Sequence, residues 1–522
     1  MDHTEPLSVC QSFHEETKYA VDRMDRFSIP PNTPGPPVPF KHYHTEQAVD
    51  LVGYLPFEQH PFTGGPLPDV REPLERPSLE ELSHLLFFTN GITAQMKMPD
   101  GSRHFFRAAP SAGALYPTEI YVAVHDFPGL KNGIYNYLVE NHSLVPMWDE
   151  DCWDALCAAT FQHSAMVQAN LSLIFTGLWE RGAWRYRERA YRRILLDTGH
   201  ILGNLNLMGP QLGFGVFPIG GFVDSAINAR LFLDDAEEGA LSVVALPALD
   251  VLTMETVPNS ASYPSPTLYG ETPEAGIALI PQLHRAAYLP ADELTPEPAP
   301  LPEPEALEDP YRDAEEVIAL DHAEIDWEGS LEAAILHRRS ARAYEPGTLS
   351  LDMLGAILSH AYQPAVPFRR GPEGNVLHQM FDPSLLHTYL LINTVEEMVP
   401  GVYYYGPLRH ELRLVRPGDV GDTAEHICLG QELGAHAALL VIHTANLEQA
   451  VERYGERAYR YLHMDAGHIG ERMNLAARSF DLGASGIGGF YDDDVTRTLG
   501  LSGQEAVAYI TTIGVPRGAA SA

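Results

Sequence analysis

The chain has 522 residues, 45% of them hydrophobic, enough for two to three domains with cores of their own. A net charge of −36 argues against nucleic-acid or anionic-membrane partners, since both call for basic patches. The cations are thirty arginines and only four lysines (Lys18, Lys41, Lys97, Lys131), so any anion held by side chains beyond Lys131 is held by Arg or His.

The N-terminal stretch MDHTEPLSVC has neither the basic nor the apolar region of a signal peptide. No apolar run reaches the roughly 18 residues of a membrane span, so a soluble, cytoplasmic protein is expected. Cys10, Cys152, Cys157 and Cys428 form no C-x-x-C pair and read as buried apolar residues of a reduced compartment. Residues 28–40 (SIPPNTPGPPVPF) are too rich in proline for a regular helix or a central strand. Residues 1–75 therefore read as an N-terminal arm.

Ser78, with Glu81 three residues on, predicts a capped helix over SLEELSHLLFFTNGIT. Strands are expected at 120–124 and 172–175, then a long helix, then a strand at 241–247, which together make a first domain over 76–289. Residues 290–312 are rich in Pro and Glu, and 290–325 read as an extended, solvated linker. The second domain, 326–522, repeats the order: helix at 350–360, strand at 388–393, long helix, final strand at 508–516. Alternating helices and strands indicate an α/β or α+β class.

The repetition is visible in the letters. Tyr186–Asp224 aligns without a gap onto Tyr454–Asp492, and 18 of the 39 pairs are identical. The shared letters are Y-x-E-R-A-Y-R, D-x-G-H-I, N-L and G-x-x-x-I-G-G-F-x-D. A repeat this long means two related domains, and two fused copies usually replace a symmetric dimer. In the long helix, Ile194, Thr198, Ile201, Leu205, Met208 and Leu212 match Leu462, Ala466, Ile469, Met473, Ala476 and Phe480 at spacings of four and three. One such seam per domain suggests that the two helices pack across a pseudo-twofold axis; the other reading is that each seam faces its own sheet.

Three short motifs suggest chemistry. Arg338-Arg339-Ser340-Ala341-Arg342 carries three guanidiniums and a hydroxyl in five residues, suited to phosphate but also to a solvated turn. Pro110-Ser111-Ala112-Gly113 lies in a run of small residues between two prolines, a rigid turn able to approach a flat ring or simply to precede a strand. Gly488-Gly489, with its copy Gly220-Gly221, is a glycine pair that lets backbone lie against a ligand, or plain helix-to-strand punctuation. It is not the dinucleotide fingerprint.

In this order the motifs resemble the FMN-dependent nitroreductase superfamily. With Phe13-His14-Glu15-Glu16-Thr17-Lys18 of the arm and the D-x-G-H helix, they resemble its SagB-type dehydrogenase branch, as two fused copies. The resemblance implies an α+β fold: two three-layer domains, each a mixed or antiparallel sheet flanked by helices, joined as an intramolecular pseudo-dimer. It also implies FMN between the domains. Arg338, Arg339, Ser340, Arg342, Gly488, Gly489 and Arg517 would come from the second domain, and Pro110, Ser111, Ala112 and Gly113 from the first.

The converse set is broken. Leu74-Glu75-Arg76-Pro77 stands where R-R-S would lie, Leu246-Pro247-Ala248 where the basic residue would lie, and Asp382-Pro383-Ser384-Leu385-Leu386 where P-S-A-G would lie. One FMN per chain is expected. A charged hydrogen bond to phosphate is worth roughly 1.5–3 kcal/mol, so a site lacking two arginines binds FMN about 10²–10⁴ more weakly.

The implied activity is ping-pong transfer from NAD(P)H to a small-molecule acceptor. The alternatives are azoline oxidation on a peptide substrate and a non-catalytic partner protein. Azoline-oxidising relatives carry a Lys-Tyr pair where this chain has Arg185-Tyr186 and Arg453-Tyr454. An Arg is too basic to act as a base, whereas Tyr186 or Tyr454 can donate a proton. The fused pair is expected as a monomer or as a dimer of the pseudo-dimer. His42 and His44 form an H-x-H without a nearby third ligand, so no metal is expected. His200 and His468 read as structural, and Asp492-Asp493-Asp494 as a helix cap. Ser485 is not in a G-x-S-x-G setting.

Overall fold

The computed structural model describes residues 6–29, 33–43, 45, 47–57, 77–99, 101, 103–148, 150–251, 262–270, 278–290, 310–311, 313–323, 325, 327, 331–365, 380–501 and 505–518. His44 and most of the expected linker lie outside them. The expected helix starts are present. Ser78 accepts from the Glu80 N–H while Glu81 accepts from the Ser78 N–H, and the helix runs Leu79–Asn90. Ser350 accepts from the Met353 N–H and opens Leu351–Tyr362.

Two antiparallel sheets form the frame. The first runs, edge to edge, Val49–Asp50, Ser143–Trp148, Gly133–Leu138, Thr118–Val124, Leu171–Leu178, Glu238–Ala245 and Phe217–Ile219. The second runs Val317–Ala319, Glu411–Pro417, Gly401–Gly406, His387–Ile392, Leu439–Asn446, Glu505–Pro516 and Tyr344–Glu345, with Gly483–Ile487 also paired to Glu505–Pro516. Seven strands recur in the same order, and so do the irregularities. The register shift at Phe175/Thr176 has its copy at His443/Thr444, and that at Ile134/Tyr135 at Val402/Tyr403. One core runs through both halves on the inner faces. Each sheet has a second core on its outer face, around Trp153 and Leu156 in the first half and Ile427 and Val495 in the second. The class is α+β, two sheet-and-helix domains.

The long helices, Ala190–Gln211 and Ala458–Ser479, pack against each other at the centre. The contact is not the expected seam. A Cβ on Gly199 would strike the Met464 carbonyl, and one on Gly467 the Leu196 carbonyl. The G of D-x-G-H is therefore where the backbones cross, and any side chain there would force them apart. Within the seam, Ile194 packs on Gly177 of its own sheet, and the Thr198 hydroxyl lies 3.0 Å from that of Thr118.

The shared arginines and aspartates are fasteners between the halves. Arg189 and Arg192 of the first half each reach Asp492 of the second at 2.7 Å; Arg457 and Arg460 of the second each reach Asp224 of the first at 2.7 Å. All six side chains are buried. Asp492 is the first residue of its helix rather than the cap position, which Tyr491 occupies, and its carboxylate works across the interface. Two further shared pairs act alike. Glu188 accepts from the Ile280 N–H at the start of Leu279–Ala286, and Glu456 from the Val9 and Cys10 N–H groups at the start of Val9–Glu16. His284 lies 3.0 Å from the Tyr191 hydroxyl, and His14 3.1 Å from that of Tyr459.

Candidate functional site

The P-S-A-G turn is held from below by the long helix. Asp197 accepts from the Ser111 hydroxyl at 2.6 Å and from the Ala112 N–H at 3.2 Å. The Ser111 oxygen in turn accepts from the Tyr116 N–H at 3.0 Å. The turn needs left-handed backbone at Gly113 (φ 63°), which glycine adopts without strain. Burial pushes the Asp197 carboxyl up to about 7. The D of D-x-G-H is thus a loop clamp, a role its repeated letter does not disclose.

The R-R-S segment of the second half reaches the same turn. Arg338 is 4% exposed; its Nε and Nη2 donate to the Ala108 and Arg107 carbonyls at 3.0 and 3.2 Å, and its Nε lies 3.4 Å from Glu471. Glu471 is fully buried, which pushes it up to about 8. Arg339 donates to the Thr93 hydroxyl and carbonyl of the hairpin Ile92–Lys97/Arg103–Arg107 and lies over Phe106. Phe105, on the other face of that hairpin, lines a cavity of about 380 Å³ with Val52, Phe87 and Tyr137. Ser340 is half-buried, and Arg342 is exposed.

Backbone pairing ties this segment to the other predicted residues. The Ala341 N–H donates to Ala484, on the strand that leads to Gly488. The Arg517 N–H donates to Ala343, so the exposed Arg517 and Arg342 stand on adjacent chains.

The glycine pair faces the first half. A Cβ on Gly488 would lie 3.0 Å from Nη1 of Arg193, whose guanidinium stacks 3.7 Å from the centre of the Tyr186 ring. The Tyr186 hydroxyl would lie 2.8 Å from a Cβ on Gly113. From Pro110–Gly113 through Tyr186 and Arg193 to Gly488–Gly489 the contacts are continuous. The arm borders this place: Tyr19 packs near Gly489, and the Trp184 indole N–H donates to the Pro34 carbonyl. Behind it, His200 lies 2.9 Å from the Tyr509 hydroxyl, and burial lowers that histidine to about 3. His200 is therefore neutral and structural.

The family model for nitroreductases matches residues 74–246 and 335–515, once per half. A nitroreductase relative from Methanocaldococcus jannaschii is 37% identical over 163 residues, 31% of this chain and 78% of that protein. The chain belongs to the nitroreductase family. A solved nitroreductase-family structure from Anabaena variabilis is 37% identical and covers 98% of this chain and 100% of its own, with a TM-score of 0.85. The trifolitoxin-processing protein TfxB of Rhizobium leguminosarum is 31% identical over 179 residues, 32% of this chain and 46% of that protein.

The second cleft of this nitroreductase-family chain is built from the same parts and filled. Asp465 accepts from the Phe381 and Asp382 N–H groups at 3.1 and 2.7 Å, as Asp197 does in the first. Asp382 in turn binds Arg453 at 3.0 Å and the Tyr454 hydroxyl at 2.8 Å. Tyr461, the counterpart of Arg193, lies directly on Gly220 and stacks on Phe381. Its hydroxyl donates to the Gly220 and Tyr263 carbonyls at 3.1 and 3.0 Å. Tyr263 itself occupies the space above Gly221 and stacks on Phe161. Its segment is tied down by Ser262 on the Phe381 carbonyl and Ser265 on Tyr454.

The two predicted tyrosines therefore part: Tyr186 borders the P-S-A-G turn, and Tyr454 is locked to an aspartate. Among the described residues no group of three potential ligands could hold a metal ion, and no helix is long and apolar enough to cross a membrane. Sequence reasoning missed Asp197, Arg193, Glu471 and Tyr509. The available signal was mismatch within the repeat: Arg193 pairs with Tyr461, and Glu471 with Gly203.

Proposed function

We propose that the protein is an FMN-dependent oxidoreductase with one composite flavin site, passing electrons from NADH or NADPH to a small organic acceptor in a ping-pong cycle. The observation that carries this reading is the convergence, at the first cleft, of buried donors from both halves that lack partners among the described residues. Arg193 Nε and Arg338 Nη1 are such donors. They flank a glycine pair on one side and the Ser111 turn on the other. That donor set suits a ligand combining a flat, acceptor-rich ring with an anionic tail.

FMN, when bound, supplies the hydride and electron transfer. Arg342 and Arg517, both exposed and on adjacent chains, would hold the phosphate with Ser340. Arg338 and Arg339 would add charge while bonding the second half to the first. Pro110, Ser111, Ala112 and Gly113 would border the ring, with Asp197 fixing their turn, and Gly488 and Gly489 would let the ring approach the backbone. Tyr186 is the candidate proton donor at the site.

Azoline oxidation on a peptide is the second reading, favoured by the likeness to a toxin-processing protein and by the Tyr186 hydroxyl beside Gly113. The test of the leading reading is anaerobic mixing of the FMN-loaded protein with NADH or NADPH. Bleaching of the flavin, and parallel-line kinetics with a quinone or nitroarene, are expected. Bound flavin that neither nucleotide bleaches would overturn NAD(P)H as donor. Failure to bind flavin at all would favour a non-catalytic partner protein.

A further inference from the structure

Arg193 is 8% exposed, yet no carboxylate among the described residues lies within ion-pair distance of it. Its Nη2 makes a long hydrogen bond, 3.4 Å, to the Tyr19 hydroxyl, and its Nε is buried with no partner. The guanidinium is held flat on Tyr186 and against the backbone of Gly488 and Gly489. Asp197, one turn on, acts on it through space but makes no ion pair with it, and a buried cation without a contacting counter-charge is unfavourable. Arg189, Arg192, Arg457 and Arg460 of the repeat each have a carboxylate at 2.7 Å, and the buried Arg472 donates to the His360 carbonyl and to Gln363 at 3.0 and 3.1 Å. At the equivalent position of the filled cleft stands Tyr461, neutral and bonded to backbone.

We propose that Arg193 is the cation that neutralises the negative charge a flavin ring gains on reduction, and so sets the reduction potential of the site. The inference rests on the FMN reading above. When a nicotinamide delivers a hydride, the ring receives two electrons and one proton and is left with one extra negative charge. Arg193 pairs with that charge without giving up a proton of its own. In the second cleft the tyrosine at this position covers the glycine instead, which suits a cleft that takes no ring.

The experiment uses the full-length, FMN-loaded protein and its Arg193→Gln and Arg193→Lys variants. The midpoint potential is read by anaerobic dye-linked titration, and sulfite serves as a second probe. Sulfite adds to the flavin ring through its own electron pair and leaves a similar negative charge on the ring. Arg193→Gln is expected to weaken reduced relative to oxidised FMN about tenfold, a fall of about 30 mV for this two-electron couple, and to weaken sulfite binding about tenfold. Arg193→Lys keeps the charge and is expected to stay close to wild type on both readouts. Loss of flavin from the Gln variant but not the Lys variant also supports a charge role.

One FMN per chain with potential and sulfite affinity unchanged in Arg193→Gln overturns the inference and leaves the function standing. Equal loss of FMN from both variants overturns it as well, because it shows a packing role. Wild type that takes up no FMN overturns the function itself.

Discussion

At both clefts an aspartate from the long helix holds a loop: Asp197 the Ser111 turn, Asp465 the Asp382 turn. At both, two arginines and an aspartate clamp the halves together. What differs is the lining. Arg193 corresponds to Tyr461, Glu471 to Gly203, and Tyr509 takes the strand position of Ser242. In the first cleft these positions supply charge and hydrogen bonds beside a turn of small residues. In the second they supply one aromatic ring and little else, and Tyr263 closes the space. Most letters shared by the two copies mark the framework, Tyr186 and Gly488-Gly489 being shared letters at the site, and the letters that differ set the two clefts apart.

The largest effects test the framework, where the halves are expected to behave alike. Asp492→Ala and Asp224→Ala each strand two buried arginines and are expected to cost about 3–5 kcal/mol in denaturant unfolding. A large loss for only one of them breaks the equivalence. The clefts are expected to differ in flavin binding. Ser111→Trp fills the first turn and is expected to weaken FMN at least about 10²-fold, whereas Ser384→Trp leaves flavin content unchanged. Equal losses would break the comparison. Arg342→Ala and Arg517→Ala are each expected to weaken FMN by roughly 1.5–3 kcal/mol, about ten- to a hundredfold, without changing the melting temperature of the flavin-free protein.

A pH dependence is also expected. Burial holds Asp197 at about 7 and Asp465 and Glu471 at about 8, above their unfolded values near 4. Between those limits the folded chain keeps protons that the unfolded chain loses, so these groups stabilise less as pH rises. Histidines lowered by burial, such as His200 and His463 at about 3, act in the opposite sense, but only below their unfolded value near 6.5. Stability is therefore expected to fall from pH 6.5 to 8, by about 1 kcal/mol per pH unit for each carboxyl still protonated. Glu471→Gln should flatten that slope, and a denaturant midpoint that rises over this range would contradict the assignment.

Much of the fold was legible because it is written locally. Ser78 and Ser350 announce their helices through the next turn, and the strands are unbroken apolar runs. The motif residues were legible too, since Arg338, Gly113 and Gly488 stand in short strings. What was hidden lies in long-range pairing. Arg189 and Asp492 are 303 residues apart, so nothing near either shows that they meet. The helix seam misled because the crossing uses Gly199 and Gly467, which an apolar periodicity skips. The filling of the second cleft depends on Tyr263, in a segment with no periodic signal.

The asymmetry between the clefts is tested most directly by the flavin-to-chain ratio after soaking the protein in excess FMN and desalting it. The account predicts one FMN per chain. Two per chain would show that the cleft closed by Tyr461 and Tyr263 still takes a flavin, and none would show that the first cleft does not; either result contradicts it.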